Sequence, residues 1–379
     1  MSTTYRRPAI TTINRAEFIG DINLNLDSNN QLKSGQYYLP TDGGLMPSER
    51  FMSGILLQFE GRFTNPSTGQ PTGTLADAPF SLIDTIQLNG YHRIRGQNEP
   101  FINVRGSSIR ELVLEQKGRA PYVTGTLSTT ASAAVDVRFI IPVPFVPLGI
   151  PLAQQIDWLL DCPNYNNLKL ALTIGDATSI YSGQTGYIVA SAYGSNSGTP
   201  RVRVTGLFAQ AGQSQFQGFV PARLWRYNNG IFNATAMTTS TTNARLASIP
   251  TGNRLRGILV KTGVLGSPDN SLTSFSSLSD TILANIKVNR GLNKQVLYFA
   301  DVYAAKEKSG DAYHITPSQG YLPIDWCENR TLGTAFDATQ LTAGPTGDVD
   351  FYLQGDTTGA ASQALEAMWE ELRGEPMTQ

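Results

Sequence analysis

The sequence predicts an all-β protein built from two tandem eight-stranded β-barrels with a few short helices. First, apolar and polar residues alternate in short runs that end at glycine, proline or asparagine, which is typical of strands joined by turns. Second, charged residues make up only 16% of the chain, against about 25% in an average soluble domain. Third, the run GILLQ at Gly54–Gln58 returns as GILVK at Gly257–Lys261, more than half of the chain later. Together these features predict a duplicated β domain.

Residues 1–44 are predicted to form an N-terminal arm and lead-in. This stretch carries Arg6, Arg7 and Arg15, with no acidic residue before Glu17. A basic start of this kind is either a solvated tail or an arm that becomes ordered on a neighbouring subunit or a membrane surface. We expect no signal peptide and no spanning helix, because the start is polar and no apolar run reaches the roughly 18–20 residues that a helix needs to cross a bilayer.

The first barrel is predicted over residues 45–180. The pair Asn89-Gly90 is the strongest two-residue turn signal, so SLIDTIQLNGYHRIRG is predicted to be a hairpin with His92 exposed after its turn. Further on, AAVDVRFIIPVPFVP alternates and then meets three prolines, which cannot donate to a sheet. A later run, NLKLALTIG, alternates again and predicts another strand.

Two short helices are predicted between these strands. Ser107 or Ser108 can cap the first, and Gly118 can close it. The second begins near Pro151, a residue that suits the first turn of a helix, and its leucines and isoleucine form one apolar stripe.

A connector is predicted over residues 181–214 and a second barrel over residues 215–358. The flanks of the repeated run correspond in order along the chain. The matched segments are IQLNG with IKVNR, SSIRELVLEQKG with FADVYAAKEKSG, FIIPVPFVPLG with HITPSQGYLPID, and NNLKLALTIGDATS with GDVDFYLQGDTTG. Any two sandwich domains share strand and turn statistics, but matches in one order favour two copies of a single domain.

The C-terminal residues 359–379 are predicted to form an amphipathic helix and tail. Leu365, Met368, Trp369 and Leu372 fall at i, i+3, i+4 and i+7, opposite a glutamate-rich face. Such a stripe needs a cover, supplied by its own barrel or by a neighbouring chain. These four residues, with the three N-terminal arginines, are the candidate assembly or membrane-facing residues.

Two packed sheets of about eight strands with an inserted helix are typical of a jelly roll. Here the order of elements resembles the double jelly-roll major capsid proteins of tailless icosahedral bacteriophages with an internal membrane, the tectivirus-like and adenovirus-hexon-like lineage. The segments that carry the resemblance are GILLQFEGRFTN, SLIDTIQLNGYHRI and FIIPVPFVPLGIPLAQQIDWLLDCPNYNNLKLALTI. It covers almost the whole chain as a pattern of elements, without a short motif.

The resemblance implies a structural role in a virion, made in the host cytoplasm and assembled into the capsid shell. It implies pseudo-hexagonal homotrimers that tile an icosahedral lattice, with long loops at their tops. Penton and minor capsid proteins are the implied partners, and the internal viral membrane is a further candidate. Direct nucleic-acid binding is not expected, since the net charge is −1 and basic residues are scattered among acidic ones.

No catalytic residue, cofactor or metal site is predicted. The chain has two histidines and two cysteines without metal-ligand spacing, and it lacks the motifs of acyl transfer, nucleotide hydrolysis and dinucleotide binding. Cys162 and Cys327 are expected to be free, buried thiols. The Asp-Trp pairs 157–158 and 325–326 could serve a sugar site, but each tryptophan is expected to lie in a core.

Two other functions stay open at this point. A carbohydrate- or receptor-binding viral spike, or another lectin-like β protein, would share the composition and the long loops. A β-sandwich glycosidase or lyase would need only two suitably spaced carboxylates on a sheet face. We therefore expect a non-enzymatic capsid protein, with these two classes as alternatives.

Overall fold

The computed structural model describes residues 12–40, 46–47, 50–93, 96–210, 223–232, 240–248, 254–265, 275–290, 295–327, 336–337, 351–359 and 363–374. The strands of the first half, in chain order, are β1 (Thr12–Asn23), β2 (Gly35–Tyr38), β3 (Phe51–Thr64), β4 (Gly73–Thr74), β5 (Ile83–His92), β6 (Gln97–Val104), β7 (Val123–Thr124), β8 (Ala134–Pro144), β9 (Leu160–Asp161), β10 (Tyr165–Ile174), β11 (Tyr181–Ser182), β12 (Val189–Ser191) and β13 (Arg201–Gln210).

The strands of the second half are β14 (Arg223–Phe232), β15 (Ser240–Ser248), β16 (Arg254–Leu265), β17 (Phe275–Leu278), β18 (Leu283–Arg290), β19 (Gln295–Asp301), β20 (Tyr321–Asp325), β21 (Phe336–Asp337), β22 (Phe351–Thr358) and β23 (Gln363–Gly374). The helices are α1 (Gly106–Lys117), α2 (Leu152–Gln155) and α3 (Val302–Tyr313), and turns of 3-10 helix cover Phe80–Leu82, Ile156–Trp158, Cys162–Asn164 and Ala177–Ser179.

Each half of the chain forms a barrel of two main sheets. In the first barrel the orders are β1-β13-β3-β8 and β2-β10-β5-β6. In the second barrel they are β14-β23-β16-β20 and β15-β22-β18-β19. Strand β14 also pairs in parallel with β6, through Tyr227 opposite Ile102 and Asn228 opposite Asn103. One continuous sheet therefore passes through both barrels.

The two barrels repeat the same pairings. Strand β3 lies between β13 and β8, and β16 lies between β23 and β20. Strand β5 lies between β6 and β10, and β18 lies between β19 and β22. By the same rule, β14 and β15 are the counterparts of β1 and β2.

The glycines that open GILLQ and GILVK have the same structural role. A Cβ atom built on Gly54 would lie 2.6 Å from the carbonyl oxygen of Val143 in β8. One built on Gly257 would lie 2.7 Å from the carbonyl oxygen of Ile324 in β20. Both positions need glycine, because the neighbouring strand approaches too closely for a side chain. The short sequence repeat therefore marks equivalent positions in the two barrels.

The helices α1 and α3 are also counterparts. Each has twelve residues, follows the equivalent strand and ends at a left-handed residue, Gly118 or His314. The predicted serine cap of α1 is wrong, because the N-cap is Arg105 and its side chain makes no capping hydrogen bond. In α3 the N-cap is Asp301, whose carboxylate accepts a hydrogen bond from the backbone N–H of Tyr303 at 3.0 Å.

Each barrel has its own apolar core. In the first, inward residues of facing sheets meet, among them Leu57, Phe59 and Phe139, all fully buried. In the second, the core includes Val260 and Ile286. Because inward residues alternate along each strand with outward ones, the period-two pattern of the sequence corresponds directly to these cores.

Several sequence expectations differ from this fold. The hairpin at residues 83–104 exists, but Asn89 and Gly90 lie inside β5, where the ladder has a bulge, and His92 is buried. The segments predicted as arm and connector contribute β1, β2 and β13 to the first barrel. The short helix after Pro151 ends within a few residues, as α2 and one 3-10 turn. Within the described residues, no helix is long and apolar enough to cross a membrane.

The predicted C-terminal helix is wrong. Its residues form β23, a central strand hydrogen-bonded on one side to β16 and on the other to β14. A central strand with both faces covered loses the usual alternation of apolar and polar residues. Its apolar positions then matched a helical period by coincidence.

Candidate functional site

The two barrels meet across a buried interface that contains charged side chains. Strand β23 supplies one half of it. Leu365 and Ala367 point into the core of the second barrel, whereas Glu366, Met368 and Glu370 point the other way, towards the first barrel. All five are buried. One face of β23 therefore packs in the core of the second barrel, and its other face forms part of the contact between the barrels.

Helix α1 of the first barrel supplies the other half. It packs on β5 and β8 of its own barrel and on β16 of the second. Ten of its twelve residues are buried, including Glu111, Glu115 and Gln116. A helix that is buried nearly all round lies inside the molecule, so α1 lies between the barrels.

One cluster of charges lies at the start of α1; we call it the upper cluster. Arg105 forms ion pairs with Asp84 and, at 3.5 Å from Nε to Oε1, with Glu366. Lys261 pairs with Asp77 and donates to the hydroxyl of Ser107 at 3.2 Å. The phenol of Tyr321 donates to Asp77 at 3.0 Å. Each ion pair is satisfied within this chain, and two of them join the barrels.

A second cluster lies at the end of α1; we call it the lower cluster. Arg256 is fully buried and donates to the side chain of Gln116 at 3.1 Å and to the carbonyl of Leu148 at 3.0 Å. Gln116 in turn donates to Glu370 at 2.9 Å. The guanidinium Nε of Arg256 lies 3.9 Å from Glu370 and 4.0 Å from Asp325. These bonds connect strands of the second barrel to α1 and the loop after β8.

The lower cluster has more carboxyl groups than cations. Burial raises the pKa of Glu370 to about 7, against the opposing effect of Arg256. Burial also raises the pKa of Glu115 well above its usual value, and Asp325 adds to that shift. Ser309 of α3 donates to Glu115 at 3.0 Å. One arginine cannot compensate the two buried carboxylates and the partly buried Asp325, so protonation relieves part of the charge.

This arrangement holds the two barrels in one fixed orientation. A buried ion pair contributes little net stability, because desolvation offsets the attraction, but it favours one geometry over others. Arg110 and Glu111 add a third contact, to the side chain and the backbone N–H of Ser318 at 3.2 and 2.7 Å. The interface can therefore carry a mechanical role.

The predicted site residues lie in different places. Arg6 and Arg7 fall outside the described residues. Arg15 lies in β1, exposed, with its Nε 3.0 Å from Glu17. The four apolar residues of the C-terminal stripe lie in β23, and three of them are buried within this chain: Leu365, Met368 and Leu372. Trp369 packs against the second core. The stripe is therefore covered by its own barrels rather than by a neighbouring chain.

Other candidate residues have structural roles. Cys162 and Cys327 are buried thiols outside any disulfide, as expected. Trp158 lies in the first core and Trp326 packs on the second, which agrees with the core interpretation of both Asp-Trp pairs. Among the described residues, no group of three or more His, Cys, Asp or Glu side chains could hold a metal ion.

Sequence reasoning missed the interface charges. Glu366 and Glu370 are four residues apart, which places them on one face of a strand as well as of a helix. Lys261 is the only charged residue of GILVK and stands where the first copy has Gln58. A charge that appears in one copy of a repeat, at an outward position, could have indicated a contact specific to that copy.

The fold is similar to that of viral major capsid proteins. The STIV MCP, from Sulfolobus Turreted Icosahedral Virus, superposes with a TM-score of 0.62 at 14% identity, covering 94% of this chain and 95% of that one. The major capsid protein P2 from Bacteriophage PM2 gives 0.54 at 12% identity, covering 96% and 99%. PBCV-1 VP54 gives 0.53 at 13% identity, covering 98% and 96%.

No protein-family model and no curated protein sequence matches the chain. Identities of this size carry information about the fold alone. Nearly the full length of each chain is covered, so the similarity includes both barrels. The predicted all-β fold with two tandem jelly rolls is confirmed: the chain has the double jelly-roll fold of these viral major capsid proteins.

Proposed function

We propose that the chain is a viral major capsid protein, which assembles into pseudo-hexagonal homotrimers that tile an icosahedral shell. The observation that carries this proposal is the duplication. Two barrels with the same strand pairings are fixed side by side by a buried interface. Three such chains around a threefold axis present six similar barrels, which gives a roughly hexagonal outline. A closed symmetric ring of this kind is a common form of stable assembly.

The interface supports this role because a tile must keep its shape. The charged side chains of the upper and lower clusters are satisfied mostly across the barrels, so sliding or rotating one barrel would leave buried charges unpaired. Breaking such a pair costs about 3–5 kcal/mol. The chain therefore resists bending between its barrels, which suits a unit that must fit a regular lattice.

The proposal extends to location and partners. The protein would lie in the shell of the virion, with neighbouring trimers as its main partners and with penton and minor capsid proteins at special positions. The N-terminal residues, with Arg6, Arg7 and Arg15, would face the internal membrane or a neighbouring trimer. No assembly role is proposed for the apolar residues of β23, since the two barrels already cover them.

Electron microscopy of the purified protein, with its mass measured by light scattering, tests the proposal. We expect six lobes with threefold symmetry and a mass of 3 × 41.1 = 123.3 kDa. A two-lobed monomer at all concentrations would contradict the capsid role while leaving the duplication intact. Glycan-binding assays would then be the next measurement, because a spike or lectin would share this fold class.

A further inference from the structure

The contact between the barrels is head-to-tail, so each chain carries a second copy of both contacting surfaces. Within the chain, β6 and α1 of the first barrel meet β14, β23 and β16 of the second. The counterparts of β6 and α1 in the second barrel are β19 and α3. The counterparts of β14, β23 and β16 in the first barrel are β1, β13 and β3. Among the described residues, β1 and β19 are edge strands with one neighbour each.

We propose that β19 and the exposed side of α3 on one copy bind the outer face of β1, β13 and β3 on a second copy, repeating the contact within the chain. We call these the α3 face and the β1 face. This inference rests on the proposed function, because it names the surfaces that would close the trimer. The occupant of each face is another copy of this chain.

The exposure of the two helices supports the proposal. Helix α1 is buried on nearly all sides because the second barrel covers its outer surface. Helix α3 occupies the same place in the second barrel, yet Tyr303, Glu307 and Asp311 are exposed. Tyr303 is 61% exposed and is the counterpart of Ser107, which is buried against Lys261. The α3 face is therefore the surface that corresponds to the covered side of α1.

The charges on the two faces are complementary. Within the chain, the N-cap of α1, Arg105, pairs with Glu366. The N-cap of α3 is Asp301. In β13, Arg203 lies opposite Gln58 of β3, just as Glu366 lies opposite Lys261 of β16. The counterpart of the Arg105–Glu366 ion pair is thus Asp301 with Arg203. Each charge has the opposite sign from its counterpart, so the two side chains still attract each other.

Both groups have capacity for this bond. One carboxylate oxygen of Asp301 accepts the capping hydrogen bond, and the side chain is exposed. Arg203 pairs with Asp21 through Nε at 3.2 Å and is 36% exposed. A guanidinium has five N–H donors, so it can bind a second carboxylate.

The strand edges also correspond. Within the chain, Tyr227 of β14 lies opposite Ile102 of β6. Ala16 of β1 is the counterpart of Tyr227, and Tyr298 of β19 is the counterpart of Ile102. The proposed contact therefore places Ala16 of one copy beside Tyr298 of another. Both edges offer backbone groups that can pair, as exposed edge strands do. A head-to-tail contact produces a ring if its rotation closes, and alternating the two contacts places six barrels in that ring.

Charge substitutions test the proposed pair, with the trimer measured by analytical ultracentrifugation over a range of concentrations. Asp301→Asn keeps the helix cap and removes the charge, so we expect the concentration for half-dissociation to rise about tenfold. Arg203→Glu places like charges together, and we expect a rise of at least about a hundredfold. The double variant Arg203→Glu with Asp301→Lys should restore much of the association. Asp21→Asn removes a carboxylate that Arg203 shares with Arg201 inside the chain and should leave the trimer intact.

The outcomes separate this inference from the proposed function. A wild-type trimer that both single variants leave unchanged would overturn the proposed surfaces but keep the capsid role. A folded double variant that stays as dissociated as Arg203→Glu would overturn the Asp301–Arg203 contact. A wild-type monomer would overturn the proposed function itself, and this inference with it. Circular dichroism and thermal unfolding establish that each variant folds, and Asp301→Asn carries the test if Arg203→Glu does not.

Hydrogen exchange on the wild-type protein gives a second readout that needs no substitution. Peptides covering residues 12–23 and 295–313 should exchange more slowly in the trimer than in protein diluted below its dissociation point. Peptides from β10, in the other sheet of the first barrel, serve as the reference, because this strand lies outside the proposed faces and pairs with β2 and β5 in the single chain. Equal exchange in trimer and monomer over both segments would exclude these surfaces.

Discussion

At the scale of single residues, the lower cluster holds more acidic side chains than basic ones. Glu115, Asp325 and Glu370 surround one buried arginine, Arg256. An ionised carboxylate in such a place lacks the water that would solvate it. The fold therefore favours the protonated form of the two glutamates, and its stability depends on pH in a direction that follows from this preference.

Replacing Glu370 by glutamine should remove part of that pH dependence. Burial raises the pKa of Glu370 from 4.5 to about 7. Between these pH values, Glu370 is protonated in the folded chain and ionised in the unfolded chain. The stabilisation from this group is complete below pH 4.5 and is lost as the pH rises to 7. The loss amounts to about 3 kcal/mol at most. Glu370→Gln should then be the more stable protein at pH 8 and nearly equal to wild type at pH 4.

Denaturant unfolding at a series of pH values measures this effect. Glu307→Gln, at an exposed position of α3, is the matched control and should follow the wild-type curve. The remaining pH dependence of the Glu370→Gln variant comes from the other groups with shifted pKa values, among them Glu115 and Glu366. If the unfolding free energies of wild type and Glu370→Gln changed with pH in parallel, Glu370 would be ionised in the folded protein over this pH range, which would contradict the prediction.

At the scale of elements, β23 shows how a strand can carry a helical pattern. Its neighbours β16 and β14 cover both edges, and a core and α1 cover its two faces. Glutamates can lie on the face towards α1 because Arg105 and Arg256 lie opposite them. The acidic residues that suggested a solvent-facing helix surface are therefore partners of buried cations.

The glycines of β3 and β16 give a prediction at this scale. Gly54→Ala and Gly257→Ala each place a Cβ atom within 2.7 Å of a backbone carbonyl oxygen in the paired strand. The strands must separate, so we expect each substitution to lower the free energy of unfolding by about 1–3 kcal/mol. Thermal or denaturant unfolding measures the change.

Gly310→Ala in α3 is the matched control for these two substitutions. A Cβ atom there meets no atom closer than 3.8 Å. Alanine favours the helix over glycine by up to about 1 kcal/mol, so this variant should be more stable than wild type. If Gly54→Ala matched the control, the two strands would be free to separate at no cost.

At the scale of the whole molecule, the interface makes the two barrels one mechanical unit. Gln116 and Glu370 are hydrogen-bonded although they lie 254 residues apart in the sequence, and Glu115 and Ser309 are hydrogen-bonded at a separation of 194 residues. The sheet that runs through β6 and β14 adds backbone bonds to these side-chain contacts. The barrels are therefore joined by groups that are far apart in the chain, and unfolding of one barrel exposes buried charges of the other.

Removing the buried cation should weaken this connection strongly. Arg256→Met removes the buried cation beside Glu370 and Asp325, so we expect a loss of about 3–5 kcal/mol in unfolding free energy. The double variant Arg256→Met with Glu370→Gln should recover part of the loss, because one unpaired acid is also removed. Lys169→Met, at an exposed position on β10, is the control and should change stability little. Equal losses in the single and double variants would contradict a coupled pair.

The sequence by itself determined the fold class, the duplication and most strands. Alternation with a period of two places inward residues such as Leu57 and Val204 in a core, and this pattern is local. The repeat of GILLQ as GILVK is also local, since each of the two glycines lies where a paired strand approaches closely. These features follow from short segments, so they can be read without knowing which segments meet.

Only the tertiary structure decided the state of the C-terminal segment, the position of the hairpin turn and the charges between the barrels. A helix and a doubly covered strand can share one pattern, and in β23 the choice depends on hydrogen bonds to β16 and β14. Likewise, Arg256 and Glu370 gain their roles from partners more than a hundred residues away. Long-range pairing of this kind leaves no local signal, because its energy comes from groups that the chain brings together only when it folds.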